Sequence, residues 1–127
     1  MSEVEEMDVR KTIPMLINNY KLEFPFDDIG IVTGDAEGVD KLVWEYVKLD
    51  EKLRKFSRRY EAIEKSWSNF KPRNIAIAER ADRVICLATK FKNQKCYHCE
   101  QDHQRTGGCW TMQYAKKLGK SGYTIVI

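Results

Sequence analysis

Apolar positions follow two spacings along this chain, and the switches between them mark its elements. Val9, Ile13, Leu16 and Ile17 line one face of a helix from Asp8 to Tyr20. Asp8 is placed to cap it. Pro14 lies inside the pattern, so the helix either begins nearer Thr12 or kinks. Residues 1–7 are acidic and expected to fray. Ile29, Ile31 and Val32 form a short β-branched run, read as a buried strand. A turn with two glycines follows, Thr33-Gly34-Asp35-Ala36-Glu37-Gly38. Val39, Leu42, Val43, Tyr46 and Val47 then return to helical spacing, predicting a helix from Asp40 to about Leu53.

The second half repeats this order. Tyr60 to Lys65 alternates and predicts a short strand nearer an edge. Ser66 to Lys71 reads as a loop holding Trp67 and Phe70, aromatics that either stack a base or cover the core. Pro72 suits the start of a helix carrying Ile75, Ile77 and Ala78. Arg83 to Ala88 is a buried strand. A second glycine turn, Gly107-Gly108, opens a helix with Thr111, Tyr114, Ala115 and Leu118 on one face, and Tyr123 to Ile127 is the last strand. Strands alternating with helices predict an α/β fold, a three-layer α/β/α sandwich with about four largely parallel strands. At 127 residues the chain is expected to be one domain, 1–127.

Composition narrows the function only a little. Charge is abundant but nearly balanced at +3, too weak to argue for nucleic acid by itself. The basic stretch Arg54 to Arg59 reads as a solvated helix end. No apolar run approaches the length of a membrane span and no signal peptide is visible, so the expected location is the cytosol. There the four cysteines are better read as free thiols or metal ligands than as disulfides.

Chemistry concentrates at three places. A strand passing through a glycine turn into a helix makes an anion site, because free backbone N–H groups and the helix dipole converge there. Thr33, Gly34, Asp35, Gly38 and Asp40 form one such turn, with Asp40 a helix cap by residue type. Gly107, Gly108 and Thr111 form another. Arg73 is placed to contact a phosphate with its guanidinium, beside Asn74. The third place is the loop at 89–109, too long for a simple strand-to-helix connection of ~2–6 residues. It contains Cys96, Cys99, His103 and Cys109, close to the spacing of a small zinc site, with His98 as an alternate ligand. Zinc would give the loop the order that its few apolar residues do not supply. Cys109 also lies at a helix N-terminus, a position that lowers a thiol pKa and favours reactivity. Cys86, inside an apolar strand, reads as a buried small hydrophobe.

The segments TGDAEGVDKL, Trp67, Arg73-Asn74, ADRVICLA and the glycine pair before YAKKLG resemble the SLOG superfamily. These are Rossmann-like nucleotide-binding domains related to DNA-processing protein A and to the LOG (lysine decarboxylase-like) proteins. The pattern is most similar to the YspA-like domains, which Ala36, Gly38, Asp40, Trp67, Arg73, Asn74, Ala81 and Asp82 match, while Asp35 replaces a glycine. The resemblance runs from about Ile29 to Ile127 and implies a Rossmann-like sandwich. It also implies a first strand ahead of the first helix. Nothing before Asp8 reads as that strand, so the sheet is expected to lack it. An exposed strand edge then points to a homo-oligomer.

The resemblance implies a nucleotide or nucleotide-derived ligand, held by Thr33, Gly34, Asp35, Gly38, Asp40, Arg73, Asn74, Gly107, Gly108 and Thr111, in a sensor or carrier. The alternative is an enzyme acting on a nucleotide or ribosyl substrate, with Asp35 or Glu37 as acid or base. LOG-type phosphoribohydrolases place a glutamate where this chain has Tyr114, and no carboxylate lies on that helix, so their hydrolysis is not expected here. A third reading is DNA or RNA binding, resting on the Arg54 to Arg59 patch and the zinc-like loop.

Overall fold

The computed structural model describes residues 1–34, 38–62, 67–104 and 106–127, with the side chain of Trp67 outside that description. The chain is mixed α/β, rich in helix, with small parallel sheets. It divides into two compact units, Met1–Arg59 and Tyr60–Ile127.

The first unit begins with helix α1, Glu3–Glu23. It starts earlier than the apolar spacing predicts, because Ser2 and Glu5 form a capping box. The Glu5 N–H donates to Ser2 Oγ at 3.1 Å and the Ser2 N–H donates to Glu5 Oε1 at 2.8 Å. The acidic residues Glu3, Glu5 and Glu6 then sit at the positive end of the helix dipole rather than fraying. Val9, Ile13 and Ile17 are its buried face, and Pro14 is accommodated inside the helix.

Strand β1 is only Val32–Thr33, followed after the turn by α2 at Val39–Lys48. Gly38 precedes α2 with φ 86°, a left-handed conformation suited to glycine. The single helix expected to Leu53 is broken. Asp50 starts a separate helix α3, Glu51–Phe56, by accepting the Leu53 N–H at 3.0 Å. Arg10 pairs with Glu6 one turn back on α1 at 2.9 Å and reaches Glu45 on α2 at 3.1 Å, both exposed pairs screened by solvent.

The strand expected from Tyr60 to Lys65 is displaced. Strand β2 is Arg58–Arg59, paired parallel to β1 with Val32 opposite Arg58 and Thr33 opposite Arg59. Tyr60 to Ala62 are not in a strand, and residues 63–66 lie outside the described residues. Gly30 permits this pairing: a Cβ there would lie 1.8 Å from the Phe56 carbonyl oxygen, so only glycine fits.

The second unit opens with helix α4, Trp67–Arg80. The loop expected at Ser66 to Lys71 is therefore helical from Trp67, and Pro72 sits inside the helix instead of starting it. Strand β3, Arg83–Ala88, pairs parallel to β4, Ser121–Val126, from Arg83 opposite Ser121 to Ala88 opposite Val126. Helix α5, Gly107–Lys117, crosses between them and packs on both strands and on α4. Ala78, Val84, Cys86, Ala88, Cys109, Met112 and Ala115 form the core of this unit. Lys120 donates its ammonium to the carbonyls of Ala78 and Glu79, closing the C-terminal end of α4.

Candidate functional site

The 89–106 loop is folded by its own backbone. The Cys96 N–H donates to the Gln101 carbonyl at 2.9 Å and the Glu100 N–H to the Cys96 carbonyl at 2.7 Å, so Cys96 to Gln101 is a tight hairpin. Glu100 at its end has φ 64°. Gln104 N–H to Thr89 O ties the loop's return to the end of β3, and Gln101 Nε2 donates to the Thr124 carbonyl of β4.

This hairpin converges Cys96, Cys99, His103 and Cys109, whose ligand atoms all lie within 4.8 Å of one another. Cys96 and Cys109 Sγ are 3.6 Å apart, and Cys99 Sγ is 3.1 Å from His103 Nε2. Tetrahedral zinc with Zn–S near 2.3 Å and Zn–N near 2.0 Å spaces its ligand atoms about 3.5–3.8 Å apart. The side chains thus need little movement to close on a metal. His103 is 1% exposed and its Nδ1 lies 2.6 Å from the Gln104 carbonyl. A carbonyl oxygen only accepts, so Nδ1 carries the proton and Nε2 offers its lone pair toward Cys99. That is the tautomer a metal-ligating histidine needs, fixed by its outer partner. His98 lies against Tyr97, ring centroids 4.0 Å apart and tilted by 37°, and is not in the set.

The thiols are tuned in opposite directions. Cys96 is partly buried, which raises its pKa. Backbone N–H groups of Cys99 and His98 reach its sulfur and outweigh this, lowering the value to about 7. Burial pushes the Cys109 thiol far up, so the free, activated nucleophile expected at that helix start is not formed. Burial likewise raises Cys86 to about 12, in keeping with its place in the core. All four cysteines are free of disulfides.

The glycine turn before α5 carries the second feature. Thr106 caps the helix, its Oγ1 accepting the Gly108 N–H at 3.1 Å. This residue was not among the expected ligand contacts, although threonine before a glycine-opened helix is a capping signal. Thr111 donates its hydroxyl to the Gly107 carbonyl at 2.9 Å, so that proton is directed into its own helix and not toward the turn. Asn74, 3% exposed, comes up from α4 against this turn: a Cβ on Gly107 would lie 3.2 Å from its Nδ2. Arg73 donates to Asn74 Oδ1 from Nε at 3.3 Å and Nη2 at 3.2 Å, and its guanidinium lies 4.8 Å over the Phe70 ring. Asn74 Oδ1 is thereby satisfied. Its Nδ2 is buried and has no hydrogen-bond partner among the described residues. An unmade bond of this kind costs about 1–3 kcal/mol.

The first glycine turn belongs to the first unit. Thr33 donates its hydroxyl to Asp40 Oδ1 at 3.2 Å, spanning the turn from β1 to α2. Asp40 is inside α2 and does not cap it; Gly38 holds that position and supplies no side-chain bond. Gly34 and Gly38 flank the turn, while Asp35 and Glu37 lie outside the described residues. Tyr114, at the place of the hydrolase glutamate, stacks on Trp110 with ring centroids 5.3 Å apart. A shallow cleft of about 450 Å³ opens along the loop between Lys90, Phe91, Lys92, Gln101, Asp102 and Val126. Its lining includes neither Asn74 nor a member of the metal cluster.

No protein-family model, curated protein or solved structure matches this chain. No helix among the described residues is long and apolar enough to cross a membrane.

Proposed function

We propose that this protein binds a phosphate-bearing nucleotide or nucleotide derivative at the N-terminus of α5, in a unit whose loop is held by zinc. The observation that carries the reading is the orphaned Asn74 Nδ2, a buried donor facing Gly107. A phosphate oxygen seated against the α5 N-terminus would accept from the turn's N–H groups, where the helix dipole favours negative charge, and from the Asn74 amide once that side chain turns out to meet it. The Thr106 hydroxyl, now accepting from Gly108, can rotate to donate to the same phosphate. Arg73, aligned by Asn74 and Phe70, would supply positive charge. The SLOG-like motifs, and the Rossmann-like sandwich they imply, support the same ligand class.

Zinc is the metal the donor set favours: three thiolates and one imidazole match a structural tetrahedral site, with all four positions filled by protein. A role as sensor or carrier in the cytosol, and assembly as a homo-oligomer, belong to the same proposal. Hydrolysis of the LOG type is not part of it, since α5 carries no carboxylate and Tyr114 is packed against Trp110.

The test is calorimetric titration of the zinc-loaded chain with ADP. Saturable binding is expected, at least tenfold weaker in Arg73→Ala, whose folding should be unchanged. Heats indistinguishable from dilution in the wild type would remove the ligand site.

A further inference from the structure

We propose that metal occupancy sets the affinity of the α5 N-terminus for phosphate, and that Cys109 is the link between the two sites. The proposal rests on the anion-site reading above. Cys109 is the third residue of α5. Its backbone N–H belongs to the first turn, whose N–H groups have no intrahelical partner and would face the phosphate. Its sulfur belongs to the metal cluster, 3.6 Å from Cys96 and 3.3 Å from Thr124 Oγ1 of β4. One residue thus offers its main chain to one ligand and its side chain to the other. Thr106, the helix cap, ends the loop that carries Cys96, Cys99 and His103.

Backbone bonds shape that loop, but it has little apolar burial to hold it against α5. Its two large hydrophobic side chains, Phe91 and Tyr97, are 47% and 85% exposed and bury little area. With the metal bound, Cys96, Cys99 and His103 hold the loop against Cys109, and the cap and first turn are fixed before a phosphate arrives. Without it the loop keeps its backbone bonds but loses its hold on Cys109, and fixing the first turn falls to the phosphate and is subtracted from its affinity. Coupling of this kind is reciprocal, so phosphate binding must tighten the metal by the same factor.

The experiment uses the full chain and two probes, zinc and inorganic pyrophosphate. Pyrophosphate affinity is measured on zinc-loaded and chelator-stripped protein. Hydrogen exchange, resolved by peptide, is followed on both. At least a tenfold loss of pyrophosphate affinity is expected on stripping, restored by adding zinc back. Loss of exchange protection should be confined to residues 89–110, with α4 and β3 still protected. Zinc affinity, read by competition with a chromophoric chelator, should rise by the same factor when pyrophosphate is present. Equal pyrophosphate affinity with and without zinc overturns the coupling while leaving the anion site standing. Protection lost throughout the second unit also overturns it, since the metal would then act through global folding. Failure of the zinc-loaded protein to bind pyrophosphate overturns the anion site itself.

Discussion

Asn74 Nδ2 stands 3.2 Å from where a Cβ on Gly107 would be, buried and without a hydrogen-bond partner among the described residues. Such a donor destabilises the folded protein, and a ligand acceptor would relieve it. Asn74→Leu, close in volume, removes the stranded donor. The variant is expected to be more stable than wild type, by about 1 kcal/mol, while losing ADP binding. Stability is read by urea unfolding and binding by calorimetry. A less stable variant that still binds would mean the amide has a structural partner instead.

The cluster's thiols make metal uptake pH-dependent in a defined direction. The Cys109 thiol is raised by burial, so it enters the site protonated near neutral pH and must give up its proton to a metal. Cys96, at about 7, is already a thiolate above that pH and is protonated below it. The number of protons released per zinc should therefore rise by about one as pH falls from 8 to 6. Calorimetric titrations in buffers of different ionisation enthalpy count these protons. A constant number across that range would contradict the assignment.

Gly30 is required by close approach, not by turn geometry. With a Cβ 1.8 Å from the Phe56 carbonyl oxygen, Gly30→Ala must push β1 away from the end of α3. It is expected to destabilise the first unit by at least about 3 kcal/mol, at the upper end of overpacking effects. Thermal unfolding followed by circular dichroism checks this. A change under about 1 kcal/mol would show that the backbone relaxes freely there.

Lys120 reaches across 42 residues of sequence to the Ala78 carbonyl, and also binds that of Glu79. Both carbonyls lie in the last turn of α4, where a cation opposes the negative end of the dipole. Lys120→Met keeps the aliphatic stem and removes the donors, so the unit should lose about 1 kcal/mol. An unchanged melting temperature would assign those carbonyls to water.

The chain shows its elements where burial dictates residue type. Arg83 to Ala88 is an apolar run inside a core and appears as β3 where that run predicts it. The spacing of Cys96, Cys99, His103 and Cys109 reflects a real convergence, because a two-residue cysteine turn and a histidine four residues on are local geometry. Elements held by backbone alone are harder to see. Strand β2 is two exposed arginines whose pairing with Val32 and Thr33 leaves no hydrophobic alternation to read. Helix α4 begins before Pro72, so a proline that local rules would place at N1 sits inside the helix instead. The starts of α1 and α3 were written in Ser2, Glu5 and Asp50, capping residues outweighed by the apolar spacing around them. Asn74 is marked in the sequence by the SLOG-like Arg73-Asn74 pair, but the burial of its amide against Gly107 depends on another helix approaching and is written in no local pattern.

Native mass spectrometry of the full chain, purified without chelator and then incubated with ADP, tests the central claim most directly. One zinc per chain is expected, lost in the double variant Cys96→Ser with Cys99→Ser, and one ADP should add to the zinc-bound species. A wild-type chain that carries no metal and takes up no ADP would contradict both halves of the account.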